Sequence, residues 1–344
     1  MIRKLLNILY ITTPDSYITR DGENIVVLIE GKEKFRMPIH NLEGVVCFNY
    51  MGVTPALMSL CAERGVGLSF VSPFGKFLAR VTGPFAGNVL LRKRQCIMSE
   101  NSTIACNVAI NCIVAKITNN ICVLSRGIRD HSKKIECDKI RTALINLKTN
   151  IDRLRNCKTL DEVRGIEGDS AKIYFSVFDQ LIVTQKEYFF MQQRTRRPPL
   201  DNLNALLSFF YTILAHDVRS ALETVGLDPF VGFLHCDRPG RPSLALDLME
   251  ELRPYMVERF VLSLINRKQI SEKDFIMKES GGVLIKDDVR KEILRLWQKR
   301  KQDKIIHPFL NEKICVGLLP YAQAMLLARF VRGDLDGYPP FFWK

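Results

Sequence analysis

The hydrophobic pattern of this chain changes period once, near residue 87, and that change constrains the fold more than any other feature. Before it, apolar side chains gather in short β-branched and aromatic runs: NILYITT, NIVVLIE (24–30), EKFRMPI (33–39) and GVVCFN (44–49). Such runs predict strands. Turn signals at Asp21-Gly22, Gly31-Lys32 and His40-Asn41 separate them. One helix interrupts at TPALMSLCAERG (54–65), with Thr54 as N-cap, Pro55 at the first helical position and Gly65 as terminator. Strands resume in GLSFVS and GKFLARVTG around the turn Ser72-Pro73-Phe74-Gly75.

After Gly87 the apolar residues recur with helical spacing to the C-terminus. The spacing predicts helices over 88–126, 137–155, 159–184, 202–226, 243–266, 286–301 and 310–332, with a polar turn at 127–136. MQQRTRRPPLDN reads as a basic loop before a helix opened by Asp201. The expected class is therefore α+β: a small N-terminal β-rich domain (1–86) followed by a large all-α domain (87–344), with the boundary near residues 83 to 90. No internal repeat or low-complexity tract interrupts this plan.

Composition narrows the function classes. With 344 residues, 47% hydrophobic and 25% charged, the chain has ample core and no need of cross-links. None of its ten cysteines forms a C-x-x-C pair, and most lie in apolar contexts such as VVCF (Cys47) and SLCAE (Cys61). They read as small hydrophobes in a reducing cytosol, not as a zinc or disulfide framework. The N-terminus reads as a first strand and lacks a cleavage site. No apolar stretch is expected to reach the length of a membrane span. The net charge is +13, partly gathered at Arg92-Lys93-Arg94, Lys133-Lys134, Arg194 with Arg196-Arg197, and Lys299-Arg300-Lys301. Each run taken alone reads as a solvated face. Together they point to a nucleic-acid partner.

The chemistry concentrates in GFLHCDRPGRPSLALDLMEELRP (232–254). His235 precedes a turn at Pro239-Gly240, and Ser243 is placed to cap the helix that follows. On that helix Asp247 shares a face with Glu250 and Glu251, three and four residues on. Like charges at that spacing repel unless a cation lies between them. Pro254 has no N–H and frees the carbonyl of Glu250, a local distortion beside the acids. A third contributor is Glu167 in RGIEGDSAKIYF, where Gly165 and Gly168 signal close approach by another element. An imidazole with two or three carboxylates suits Mg²⁺ or Mn²⁺ better than zinc. The bland alternative keeps the histidine structural, the acids on the wet face of their helix, and Gly165 and Gly168 at a helix junction with Asp169 as an N-cap. The residues alone leave both readings open.

The ordered motifs RGIEGDSAKIYF, NLNALLSFFYTILAHDV and GLDPFVGFLHCDRPGRPSLALDLMEELRP resemble the CRISPR-associated integrase family, the universal adaptation protein that inserts spacers. The opening KLLNILYITTPDSYITRDGENIVVLIEGKEKFRMPIHNLEGVVCF and the ending RGDLDGYPPFFWK resemble its type I-C branch. The resemblance implies a divalent ion, Mg²⁺ or Mn²⁺, held by Glu167, His235 and Glu250, with Asp247 as a further catalytic acid and Glu251 as a bystander paired with solvent or arginine. By the same resemblance, many relatives carry aspartate where Glu250 stands. It implies transesterification, in which a DNA 3′-hydroxyl attacks a phosphodiester of the repeat array, together with cleavage or disintegration of branched DNA.

Basic groups then acquire a role. Arg253, one turn beyond Glu250, and Arg238 and Arg241, in the turn after His235, are expected to contact phosphates. Arg92 and Arg94 are expected to hold duplex DNA. Tyr17 is a candidate for stacking on a terminal base pair, against the plain reading of a strand-end aromatic. The implied partners are double-stranded DNA (protospacer and repeat), a second copy of the chain joined through edge strands of the β domain, and a small second adaptation protein that bridges two dimers into a heterohexamer. The β domain would serve dimerisation and DNA end capping. No membrane is involved, and the setting is the prokaryotic cytoplasm. The competing hypothesis is a non-catalytic basic DNA-binding scaffold whose acids are structural. A small-substrate metallohydrolase fits the basic runs less well.

Overall fold

The computed structural model describes residues 7–48, 52–72, 77–81, 83, 89–195 and 198–343. The expected boundary near 83–90 and the basic pair Arg196-Arg197 fall mostly or wholly outside these residues. Two compact units emerge. The first comprises 1–86, 285–303 and 315–318; the second comprises 87–284, 304–314 and 319–344.

In the first unit, β1 (Ile8–Ile11), β5 (Gly44–Cys47), β6 (Gly67–Val71) and β7 (Phe77–Val81) form a four-stranded sheet in that order. Its first three strands are parallel, and β7 runs antiparallel to β6. The strands β2 (Ser16–Asp21), β3 (Asn24–Ile29) and β4 (Lys32–Pro38) form an antiparallel meander. Its hairpins turn at Gly22 and at Glu30-Gly31, all three with positive φ, which is why glycine recurs there. The helix α1 (Pro55–Glu63) starts as expected: the Thr54 hydroxyl accepts from the Leu57 N–H, and Pro55 occupies the first turn. Gly65 ends it in the left-handed region. Ile18, Ile25, Ile39, Val45, Leu57, Leu60 and Leu68 close the core. Burial pushes the Cys47 and Cys61 thiols up to about 12 and about 11, so both behave as hydrophobes.

The second unit is helical. It carries α2 (Val89–Glu100), α3 (Ser102–His131), α4 (Cys137–Leu154), α5 (Leu160–Phe178), α6 (Asn202–Val225), α7 (Ser243–Glu250) and α8 (Arg259–Asn266). A short pairing of β8 (Phe275–Met277) with β9 (Val283–Ile285) follows. The helix α9 (Asp287–Gln302) lies in the first unit. After it come β10 (Lys304–Ile306), paired with β11 (Lys313–Cys315), and α10 (Leu319–Arg332). The β-rich start and helical body agree with the expected α+β class.

Several boundaries differ from expectation. The helix expected over 88–126 is two helices, because the Asn101 side chain accepts from the Thr103 and Ile104 N–H groups and caps a new one. The second continues to His131, through part of the expected polar turn. Residues 313–318 form a strand and a 3₁₀ turn where a helix was expected. The helix expected over 243–266 is interrupted after Glu250 by a turn at 251–252 and a π-helix at Arg253–Glu258.

Against the expectation of no membrane-length stretch, α3 is long and apolar enough to cross a membrane by length and composition. Here it is a core helix. Ala105, Val108, Ala109, Cys112, Ile113, Ile117, Val123 and Leu124 are buried, and so are the polar Lys116, Asn119 and Asn120.

Candidate functional site

The segment between α6 and α7 is delivered to its place by polar contacts that begin far away in sequence. Gln95 on α2 is fully buried. Its amide donates to the Asp228 and Val231 carbonyls, and its carbonyl accepts from the Asp228 N–H. Arg164 on α5 donates to the Leu234 carbonyl through Nε and Nη2, at 2.9 and 2.7 Å. Gly232 lets the strand of backbone lie on α7: a Cβ there would meet the Ser243 Cβ at 2.7 Å and Asp247 Oδ2 at 2.9 Å.

That close approach is what Asp247 uses. Its Oδ2 accepts from the Phe233 and Leu234 N–H groups at 2.6 and 2.9 Å. Its Oδ1 accepts from the His235 N–H at 3.0 Å and lies 2.6 Å from His235 Nδ1. A carboxylate has no proton to give, so Nδ1 carries the hydrogen and Nε2 is the ring's remaining accepting or ligating atom. Asp247 is thus buried and saturated; it orients His235. Ser243 does not cap α7 as expected. Pro242 holds the cap position, and the Ser243 hydroxyl donates to the Cys236 carbonyl, closing the turn that carries Arg238 and Arg241.

Glu250 ends α7. Beyond it, Arg253–Glu258 winds as a π-helix, and the Arg259 N–H reaches back five residues to the Pro254 carbonyl. The proline that cannot donate to Glu250 sits at the start of this widened turn, in keeping with the expected distortion. Glu250 is buried between two cations: Arg253 Nη1 lies 2.8 Å from Oε1, and Lys116 Nζ lies 2.7 Å from Oε2. Lys116 also pairs with Glu167 Oε1. One buried ammonium from the middle of α3 therefore joins the acid of α5 to the acid of α7.

Electrostatics follow from this placement. Burial works to raise the Glu250 carboxyl, but the Arg253 and Lys116 charges overcome it and hold it at about 2. Burial works against the Lys116 charge, and Glu250 and Glu167 more than restore it. Arg253 is likewise held charged against burial, chiefly by Glu250, and its guanidinium lies over the Tyr211 ring, 5.0 Å from the centroid. The Tyr211 hydroxyl in turn donates to Glu258 at 2.6 Å. Arg253, expected to face phosphate, is instead largely buried and committed to Glu250 and Tyr211.

Glu251 is not the solvated bystander that was expected. It is fully buried. Its Oε1 accepts from the Tyr338 hydroxyl at 2.5 Å and Gln323 Nε2 at 2.8 Å, and its Oε2 accepts from the Phe341 N–H at 3.0 Å. Burial pushes it to about 7 against those hydrogen bonds. Asn119 on α3 ties the same region, donating to the Glu251 and Phe341 carbonyls and accepting from the Trp343 N–H. The C-terminal residues thus anchor the end of α7.

The glycines beside Glu167 also correct an expectation. A Cβ at Gly165 or Gly168 would meet nothing within 4 Å, so neither marks a close neighbour; they leave open space flanking Glu167. Asp169 lies within α5 and caps nothing, while Thr159 and Glu162 supply the capping box that starts the helix. Among the described residues, no three His, Cys, Asp or Glu side chains lie close enough together to form a ready metal cage.

Other expected DNA contacts are scattered. Arg238 is exposed and Arg241 half-buried beside His235. Arg92 is half-buried on α2. Arg94 donates to the Arg332 carbonyl at 2.7 Å, at the C-terminus of α10. Tyr17, in the first unit, is exposed on β2, its ring lying where a Cβ on Gly52 would stand. Arg194, in one of the basic runs, is bound to the Thr195 carbonyl and to Asn204 and Ser208.

A two-unit α+β fold whose helical unit carries a half-buried histidine oriented by a buried aspartate, and two glutamates bridged by a lysine, defines the class of protein. A sequence profile of the family described as CRISPR associated protein Cas1 matches residues 9–299. A CRISPR-associated endonuclease Cas1 of Chlorobaculum tepidum is 49% identical over 343 residues, covering 100% of both chains. In a Cas6-RT-Cas1–Cas2 complex, one chain superposes with a TM-score of 0.84 at 23% identity, over 100% of this chain and 37% of that one. A casposase bound to integration product superposes with a TM-score of 0.84 at 21% identity, over 98% of this chain and 94% of its own. The chain belongs to the Cas1 family.

Proposed function

We propose that the protein is a metal-dependent DNA integrase and endonuclease that inserts spacers into a CRISPR array by transesterification. The observation that carries this reading is the meeting of Glu167 and Glu250 on one buried cation, beside a histidine whose Nδ1 is fixed by Asp247. Its relatives' endonuclease name and the casposase's integration product support the same chemistry.

The donor set, two carboxylates and one imidazole, suits Mg²⁺ or Mn²⁺ by its chemistry. Glu167, Glu250 and His235 Nε2 would hold the ion. When bound, it supplies the positive charge that activates a hydroxyl and neutralises phosphoryl oxygens. Asp247 fixes the ring and keeps its proton on Nδ1. Arg238 and Arg241, in the turn after His235, hold the DNA strand by its phosphates, and positioning does most of the remaining work. Arg92 and Arg94 track the duplex, and Tyr17 caps its end.

By the same reading the chain pairs with a second copy through a β-domain edge and joins a small Cas2-type protein in a heterohexamer; the Cas2 named in the neighbouring complex supports that partner. It acts in the prokaryotic cytoplasm, and its opening and closing segments favour the type I-C branch. A scaffold without chemistry is the second reading, favoured by Lys116 and Arg253 satisfying the acids already.

The test is a branched DNA substrate incubated with Mn²⁺ or EDTA, using the wild type and His235→Ala. Strand transfer that needs both the metal and His235 supports the proposal. Activity that survives either loss refutes the metal mechanism, and binding without chemistry under every condition favours the scaffold.

A further inference from the structure

Lys116 has no place in the chemistry derived above, yet it is a charged side chain buried in the helical unit. It stands midway along α3, in the apolar run NCIVAKITNNICVL. Its side chain is 7% exposed, and its ammonium contacts Glu167 and Glu250 together. An isolated buried ammonium is costly, and so is a buried carboxylate such as Glu250 facing the half-buried Glu167; the ammonium and the acids are tolerated here because of each other. Arg253 neutralises the far oxygen of Glu250, so the cluster balances two positive against two negative groups. The acids are therefore fully compensated before any further cation arrives. Among the described residues no three potential ligands come together, while the ammonium contacts both Glu167 and Glu250.

We propose that Lys116 is a resident counter-cation of the two-acid pocket, which stabilises the metal-free protein and has to yield its place when a divalent ion enters. This rests on the reading of Glu167 and Glu250 as metal ligands. Lys116 acts through those ligands and not on DNA. Two cations on the same pair of carboxylates repel each other, so the free energy of ion binding is reduced by that of the ammonium contacts it replaces. Wild-type affinity for the ion is then weak, and removal of the lysine raises it. The bare acids of such a variant would also repel each other and loosen the junction of α3, α5 and α7 until an ion restores the charge.

The experiment uses the full chain, purified with chelator, and Mn²⁺ alone as the probe. Free Mn²⁺ is titrated by electron paramagnetic resonance, and thermal unfolding is followed with and without Mn²⁺. Lys116→Met removes the charge and keeps the length. Lys116→Gln keeps hydrogen-bond donors and guards against a failure of the first variant to fold. In either variant we expect Mn²⁺ to bind at least ten-fold more tightly than in the wild type. We also expect the metal-free melting temperature to fall and Mn²⁺ to raise it by more than it does in the wild type. Equal or weaker Mn²⁺ binding by the variants, with clear binding by the wild type, overturns the role of Lys116 and leaves the ligand assignment intact. Absence of binding by wild type and variants alike overturns the ligand assignment and this proposal together.

Discussion

Replacement of Asp247 by asparagine changes one atom and tests how the histidine is held. The carboxylate takes four donors: the Phe233 and Leu234 N–H groups on one oxygen, and the His235 N–H and Nδ1 on the other. An asparagine oxygen can serve either pair. Its NH₂ then faces the other pair, donor against donor, in a buried place. At least one hydrogen bond to a charged group is lost, that of the His235 N–H when the NH₂ faces His235. A second is lost or is kept only by forcing the His235 ring into the other tautomer. At about 1.5–3 kcal/mol each, the total is roughly 1.5–6 kcal/mol. That is a large share of a domain stability of about 5–15 kcal/mol. Loss of a partner that orients a ligating histidine also costs about 10–100-fold in activity. Denaturant unfolding measures the first effect, and branched-DNA strand transfer under conditions where the variant is folded measures the second. In a His235→Ala background, which lacks the Nδ1 donor, the same substitution should cost less stability. A variant within about 1 kcal/mol of wild type and equally active would refute the assignment of Asp247 as the group that builds the loop.

Other perturbations address the surroundings of this loop. Gly232→Ala drives a methyl into Ser243 and Asp247; a stability loss of about 1–3 kcal/mol and a drop in strand transfer of more than ten-fold are expected, measured by unfolding and by activity. Glu251, raised to about 7 against an ordinary 4.5, binds a proton more tightly folded than unfolded. Its contribution is fully present below pH 4.5 and is lost as pH rises towards 7. Glu251→Gln should flatten that decline, seen as a difference in unfolding free energy between the two proteins across pH 4.5 to 7. Tyr338→Phe removes one donor to Glu251 and one acceptor from Gln323. It should cost about 1.5–3 kcal/mol and speed amide exchange along residues 338–343, read by mass spectrometry.

Much of the fold was legible because it rests on local rules. Period-two runs, glycines at positive φ and the Thr54-Pro55 start specify the strands β1–β6 and the helix α1 of the first unit, but not the inclusion of α9 in that unit. The helical body was legible as helices but not in its breaks, since Asn101 and the strand at 313–315 are set by capping and pairing that periodicity does not register. In the site, helix spacing put Asp247, Glu250 and Glu251 on neighbouring positions, yet gave all three the same apparent status. Their fates diverge through partners remote in sequence: backbone N–H groups at 233–235, Lys116, and the tail at 338–341. The flanking glycines of Glu167 suggested close packing where there is open space, because glycine in a helix signals permission and not occupancy. Arg253 was expected to face phosphate; its i,i+3 spacing to Glu250 was visible in the sequence, but nothing local shows that it packs on the remote Tyr211. One signal was present and unused: a single lysine in the apolar middle of α3, where a charge needs a partner.

The central claim is that Glu167, Glu250 and His235 form one cation site that Lys116 occupies in the metal-free protein. Crystals of the full chain grown with chelator and then soaked in Mn²⁺ test it most directly by anomalous diffraction. The account predicts a Mn²⁺ peak among Glu167, Glu250 and His235 Nε2, with the Lys116 ammonium withdrawn from both carboxylates. Its contradiction would be a Mn²⁺ peak elsewhere, or none, with Lys116 still bridging the two glutamates.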